Sequence, residues 1–289
     1  DREKYLFDLQ GFLVVRGMLS AAEVKTLNET LEVNLDKRGE FGEANGISGN
    51  WEGRPLEGRF SPFRHYKGML TWEQPWCQPF RDLLAHAKLI PYLNTLLGRG
   101  WKLDTPPAMF IAKDGCEGMG FHGHTHGRFI GARSYVYQNG RIRCGLIACQ
   151  YQLADVNPGD GGLCVIPGSH KANFECPFVH EPGPDVMTWD ANWELVYQPV
   201  MKAGDMLIFN EATMHGTLPW RGKHPRRPLF MRYTPKYMQH GSSLYQTGMP
   251  DWVSELTEEQ RAVLEPPYVR SRPLIEDEGV SIDRPRWEN

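Results

Sequence analysis

The chain has 289 residues, 40% hydrophobic and 23% charged, and its 32 basic and 35 acidic side chains leave a net charge of −3. These are globular proportions, which exclude a wholly disordered chain, a collagen or a coiled coil, and the near-neutral balance argues against a nucleic-acid binder. No run of about 18 apolar residues occurs, so no membrane span is expected, and six cysteines without a Cys-x-x-Cys pair read as free thiols of a cytoplasmic protein.

Residues 6–16 form a short apolar segment. Ser20 and Glu23 make a capping box, and Val24, Leu27, Leu31 and Leu35 follow at helical spacing. Residues 38–62 are Gly-rich and charged without a period, and read as a covering loop. A second helical stretch spans 79–98, with Pro91 splitting it and Gly98 suited to the C-terminal cap. From there the texture changes to short β-like runs at 108–114, 144–153, 162–167, 194–200, 205–209 and 227–235. Turn signals such as Asn139-Gly140 and Ala203-Gly204-Asp205 separate them. Many short strands at this spacing predict an all-β sandwich or barrel. Thr257 and Gln260 repeat the capping pattern before a last helix that Pro266-Pro267 stops. The tail 270–289 is polar and proline-rich, an arm or a disordered end. The reading is one domain over 1–289: helical decoration over about 1–105, a β core over about 106–235, and a C-terminal helix and arm over about 236–289.

Three histidines fall within one short stretch, His122, His124 and His126. If that stretch is extended, alternation sends all three to one face, and crowded neutral imidazoles are metal ligands. A fourth candidate is His215, in a loop after a strand, with Glu211 four residues before it. Arg226 and Arg227 precede a strand, where a guanidinium near a metal can clamp a carboxylate bidentately.

The stretch Asn157-Pro158-Gly159-Asp160-Gly161-Gly162, followed by Val165-Ile166-Pro167-Gly168-Ser169-His170-Lys171, resembles the phytanoyl-CoA dioxygenase family of non-haem iron oxygenases. The segment from Gly11 to Val24 and the segment from Gly204 to Thr217 agree with that family in content and order. The resemblance runs from about residue 6 to 235. It implies a mainly β fold, a double-stranded β-helix or jelly-roll barrel with flanking α-helices and Fe(II) in one mouth. It also implies an H-x-D pair and a distal His on the metal, with open positions for 2-oxoglutarate and O2. By that resemblance the distal His is His215, Thr217 helps bind the co-substrate, and Arg226 or its neighbour Arg227 takes the 2-oxoglutarate carboxylate. His170 belongs to the fold signature and is not a ligand.

The departure lies at the first ligand pair, which aligns with His122-Gly123-His124 and lacks the carboxylate. Four resolutions stand open: His124 as third imidazole; Glu211 as the carboxylate; an open position that binds halide; or a two-metal site using His122, His124, His126, His215 and Glu211, with Asp160 or waters. A mononuclear Fe(II) site would use 2-oxoglutarate. A diiron site would draw on an external electron donor instead. Either inserts oxygen from O2 into an unactivated C–H bond of a small organic metabolite, with neither nucleic acid nor membrane as partner. Catalysis is expected to rest on His122, His215 and Glu211. Arg128, Arg133, Arg141 and Arg143 could steer an anionic substrate, and Trp51, Trp72, Trp76 and Trp101 could line an apolar wall. The competing reading is a non-oxidative jelly-roll metal protein, a cupin-like hydrolase, isomerase or binding module.

Overall fold

The capping pairs read in the sequence start two helices. Ser20 accepts from the Glu23 amide while the Glu23 carboxylate accepts from the Ser20 amide, and Thr257 and Gln260 do the same, so each cap satisfies two otherwise orphaned donors. The computed structural model describes residues 1–35, 63–116, 118–123, 131–174, 193–241, 249–267, 274–275 and 282–283. In chain order the elements are α1 (Arg2–Gln10), β1 (Phe12–Val15), α2 (Ala21–Asn34), β2 (Phe63–Tyr66), α3 (Gln78–Asp82), α4 (Ile90–Leu97), β3 (Lys102–Ala112) and β4 (Met119–His122). There follow β5 (Tyr135–Gln138), β6 (Arg141–Cys144), β7 (Ile147–Gln152), β8 (Gly162–Val165), β9 (Met206–Asn210), β10 (His215–Leu218), β11 (Pro228–Thr234), α5 (Glu258–Leu264), β12 (Leu274–Ile275) and β13 (Ile282–Asp283).

Two antiparallel sheets form the jelly roll. The larger has the order β1-β9-β7-β11-β3-β2 and the smaller β4-β10-β8; Tyr197 bridges to Val165 beyond β8. Alternation along the strands of the large sheet makes two apolar layers. Ile147, Cys149 and Tyr151 of β7, and Leu229, Met231 and Tyr233 of β11, join the helices in an outer core with Leu27, Leu31, Phe80, Leu93 and Trp101. Ala148, Leu207, Phe209 and Phe230 face the other way and meet Leu163 and Val165 of the small sheet in an inner core. A sheet buried on both faces reads as continuous apolar runs, which is why its strands were legible.

Several expectations need correction. The stretch 194–200 is a short 3-10 turn over Trp193–Leu195 followed by the isolated Tyr197 bridge. The helical stretch 79–98 does divide, but before Ile90; Pro91 sits in the first turn of α4, where its missing N–H costs nothing. The N-terminal third is not only helical decoration, since β1 and β2 form the two edges of the large sheet. The tail contains the pair β12–β13. The loop expected over 38–62 lies outside the described residues but for its neighbour β2, which starts at Phe63.

The turn that follows β8 ties the N-terminus to the barrel. The Gly168 amide donates to the Gln10 carbonyl at 3.0 Å, and His170 Nε2 donates to the Asp8 carbonyl at 3.0 Å. The Ser169 hydroxyl donates to the Ile166 carbonyl and accepts from the Met214 amide at 2.7 Å. Ser169 is buried, so Ser169→Ala strands a buried N–H beside His215. A stability loss of ~1–3 kcal/mol is expected, measured by denaturant unfolding; unchanged stability would show that the hydroxyl does not hold this turn.

Candidate active site

Strand pairing brings the first and last candidate histidines together. His122 closes β4 and stands opposite His215, the first residue of β10, with their rings 4.1 Å apart. β4 ends at His122, and the next residue, Gly123, has φ 109°, a backbone state that favours glycine. A Cβ there would lie 2.5 Å from the Thr213 carbonyl oxygen. His124 and His126 lie outside the described residues.

The loop 211–214 that delivers His215 is held at every step. Asn210 Oδ1 accepts from the Ala212 amide at 2.7 Å. The Glu211 amide donates to the Leu146 carbonyl, the Thr213 hydroxyl donates to the Gly11 carbonyl, and Ser169 holds Met214. His215 Nδ1 donates to the Thr213 carbonyl at 2.7 Å. This fixes the tautomer and aims Nε2 inward as an acceptor, the arrangement that second-shell carbonyls give metal-bound histidines. Nε2 is buried and makes no hydrogen bond. Burial pushes the imidazole down to about 4, against the pull of Glu211, so the ring is neutral near pH 7, the form that binds a metal.

Glu211 Oε2 lies 3.6 Å from His215 Nε2, and Oε1 accepts from Arg232 Nε at 2.6 Å. Burial alone would raise this carboxyl, but His215 and Arg232 hold it at about 2. With His215 neutral, the Arg232 guanidinium is the partner that keeps it ionised at neutral pH. Two imidazoles and a carboxylate thus converge on one end of the barrel. Among the described residues no three such side chains by themselves close a metal site. The neutral, preoriented and orphaned Nε2 beside a second imidazole nevertheless fits a divalent ion, with a third donor to come from Glu211 or from outside the described residues. Asp160 is spent elsewhere, accepting from the Asn157 amide and side chain to close a turn.

The two arginine candidates separate cleanly. Arg227 turns outward to α2, donating to Asn28 Oδ1 at 2.9 Å and pairing with Glu32. Arg226 turns inward and is 5% exposed, with Nε and Nη2 lacking any partner. Burial pushes it down to about 10, still charged at neutral pH. A Cβ on Gly162 would lie 3.1 Å from Arg226 Nε and 3.6 Å from the Trp220 ring, so the glycine leaves space for the guanidinium. Gly162 pairs with Leu218, three residues along β10 from His215, which separates Arg226 from the imidazoles by roughly 10 Å. Thr217 shares the His215 face of β10 and lies between them. Arg133 Nη1 donates to the Gly123 carbonyl at 3.3 Å. Arg141 and Arg143 line an outer cleft of about 650 Å³ together with Lys4, Arg99 and Lys236. Arg128 lies outside the described residues. Of the tryptophans, Trp72 and Trp101 are packed in the outer core, and Trp51 lies outside the described residues.

Sequence reasoning missed Arg232, Gln150 and Gln152. Arg232 had a signal, since a cation inside an apolar strand needs a buried partner. The two glutamines of β7 are fully buried, and alternation from Ala148 places them on the inner face.

A family profile described as Phytanoyl-CoA dioxygenase (PhyH) matches residues 7–228. No curated protein gives a significant sequence match. Among solved structures, HygX from Streptomyces hygroscopicus with nickel and 2-oxoglutarate bound is similar at 23% identity and a TM-score of 0.66, covering 82% of this chain and 88% of that one. The non-heme alpha ketoglutarate dependent epimerase SnoN from nogalamycin biosynthesis is similar at 17% identity and a TM-score of 0.58, covering 86% and 91%. The carbocyclase SnoK from the same biosynthesis is similar at 16% and 0.57, covering 89% and 90%. These likenesses are of fold. No helix among the described residues is long and apolar enough to cross a membrane.

Replacing Arg232 by Leu leaves the buried Glu211 carboxylate without its guanidinium, and a loss of ~3 kcal/mol is expected at pH 7. Because the Glu211 carboxyl is held low, its contribution is fully present above its unfolded value of about 4.3 and is lost as pH falls towards the folded value. The gap between Arg232→Leu and the parent protein, followed by urea unfolding, should therefore narrow on acidification below about pH 4.3. A gap independent of pH would place the loss in packing instead.

Proposed function

The chain belongs to the phytanoyl-CoA dioxygenase family of non-haem iron enzymes, and on that premise we propose that it is a mononuclear Fe(II), 2-oxoglutarate-dependent oxygenase that hydroxylates a small organic molecule. The observation that carries this is the pair of orphaned groups inside the barrel. A neutral imidazole nitrogen of His215 stands beside His122 at one end, and the unpartnered guanidinium of Arg226 lies buried at the other. A short dicarboxylate can reach from one to the other.

His122 and His215 would hold the iron, with the third donor coming from Glu211, whose far oxygen Arg232 orients, or from a residue outside the described ones. When bound, Fe(II) with 2-oxoglutarate and O2 supplies an oxidant for unactivated C–H bonds, the co-substrate leaving as succinate and CO2. The chain's own part is placement. Thr213 aims the His215 ring, Arg226 fixes one carboxylate of the co-substrate by charge-assisted hydrogen bonds, and Thr217 offers a hydroxyl between them. The inner apolar residues Phe209 and Phe230 limit water near the reacting atoms. The basic cleft formed by Arg141, Arg143, Lys4, Arg99 and Lys236 supports an anionic substrate, which a field of one sign draws in. HygX is described with hygromycin B bound.

Anaerobic reconstitution should give about one iron per chain, and adding 2-oxoglutarate should produce a metal-to-ligand charge-transfer band. His215→Ala should abolish both. Arg226→Ala should keep the iron but raise the 2-oxoglutarate needed for the band by roughly tenfold or more. Iron retained in His215→Ala would overturn the ligand assignment, and about two irons per chain would overturn the mononuclear reading.

A further inference from the structure

β7 runs through the middle of the large sheet, between β9 and β11. Its inner row is Ala148, Gln150 and Gln152. Gln150 stands opposite Leu207 on one side and Phe230 on the other, both members of the inner apolar core. Gln152 stands opposite Pro228, one alternate step from Arg226 on the same chain. The two glutamines are 0% exposed, and neither the oxygen nor the nitrogen of either carboxamide has a hydrogen-bond partner. With His215 Nε2 and Arg226 Nε and Nη2, these four side chains contribute seven buried orphaned atoms to one barrel interior.

An apolar side chain would suit the Leu207 and Phe230 surroundings, and a buried carboxamide without partners opposes folding. Two such residues in succession on the inner face, lying between the His215 imidazole and the Arg226 guanidinium, are explained by a polar ligand that supplies acceptors for their NH2 groups. We propose that Gln150 and Gln152 are co-substrate-binding residues. Their carboxamides hydrogen-bond the dicarboxylate that Arg226 anchors, Gln152 at the carboxylate held by Arg226 and Gln150 one step nearer the imidazoles. This rests on the 2-oxoglutarate reading above and adds a polar wall to it. Carboxamide NH2 groups donate to carboxylate oxygens without adding charge, so Arg226 remains the cation that anchors the ligand, the one such group in this part of the barrel among the described residues.

The test compares the parent protein with Gln150→Leu, Gln152→Leu and the unbranched Gln152→Met. Calorimetric titration of the Fe(II)-loaded protein with 2-oxoglutarate under anaerobic conditions gives the co-substrate affinity, and thermal unfolding is followed without ligand. Each substitution should weaken 2-oxoglutarate binding roughly tenfold. It should leave the iron affinity unchanged and hold or raise the unfolding temperature of the ligand-free protein. Variants that bind 2-oxoglutarate like the parent overturn the inference and leave the oxygenase reading standing. A lowered ligand-free unfolding temperature in both Leu and Met variants also overturns it, because the amides then serve the fold. A parent protein that binds no 2-oxoglutarate overturns both.

Discussion

One hydrogen bond sets the chemistry of the barrel: His215 Nδ1 to the Thr213 carbonyl, 2.7 Å long. Because a carbonyl can only accept, Nδ1 carries the proton and Nε2 presents its lone pair to the interior. Much of the surrounding architecture serves to keep the Thr213 carbonyl in place. Gly11 receives the Thr213 hydroxyl, Asn210 closes the turn before it, and Ser169 holds the residue after it. The N-terminal strand and the turn after β8, far apart in sequence, are thereby coupled to the orientation of one ring.

The interior that this ring faces sets polar side chains among apolar ones, unlike the outer core. Outside the large sheet, Ile147, Cys149, Tyr151, Leu229, Met231 and Tyr233 pack on helices in a dry layer. Inside, the same strands carry Gln150, Gln152 and Arg232, and Arg226 precedes β11. The charges are ordered along the barrel. Glu211 and Arg232 compensate each other beside the imidazoles, which spares the fold an isolated buried charge. Arg226 has no such partner. The proposed metal and co-substrate positions rest on this asymmetry between a compensated pair at one end and a lone buried guanidinium at the other.

The resemblance in sequence predicted the jelly roll, which the two sheets form; of the residues it singled out, His122, His215 and Arg226 lie inside the barrel, whereas Arg227 faces α2. Strands buried on both faces were visible as apolar runs, and reciprocal caps at Ser20 and Thr257 announced their helices. The runs misled where a stretch was apolar without a partner in register, as at 194–200. Four-residue strands such as β5 and β10 escaped notice because so short a run shows no period of its own and is held extended by its neighbours.

By itself the sequence determined which residue types the site contains and the order in which the chain visits them, since both follow from local pattern and motif. Only the tertiary structure decided which side of the sheet each residue meets. Arg226 and Arg227 are adjacent and chemically identical, yet one is buried against Gly162 and the other pairs with Glu32 on α2. The choice depends on strand parity, set by the pairing of β11 with β3 and β7. The same parity turns Gln150 and Gln152 into the barrel and Tyr151 away from it. Parity is fixed by hydrogen-bonded register across strands distant in sequence, and a one-residue shift would exchange every inward and outward side chain.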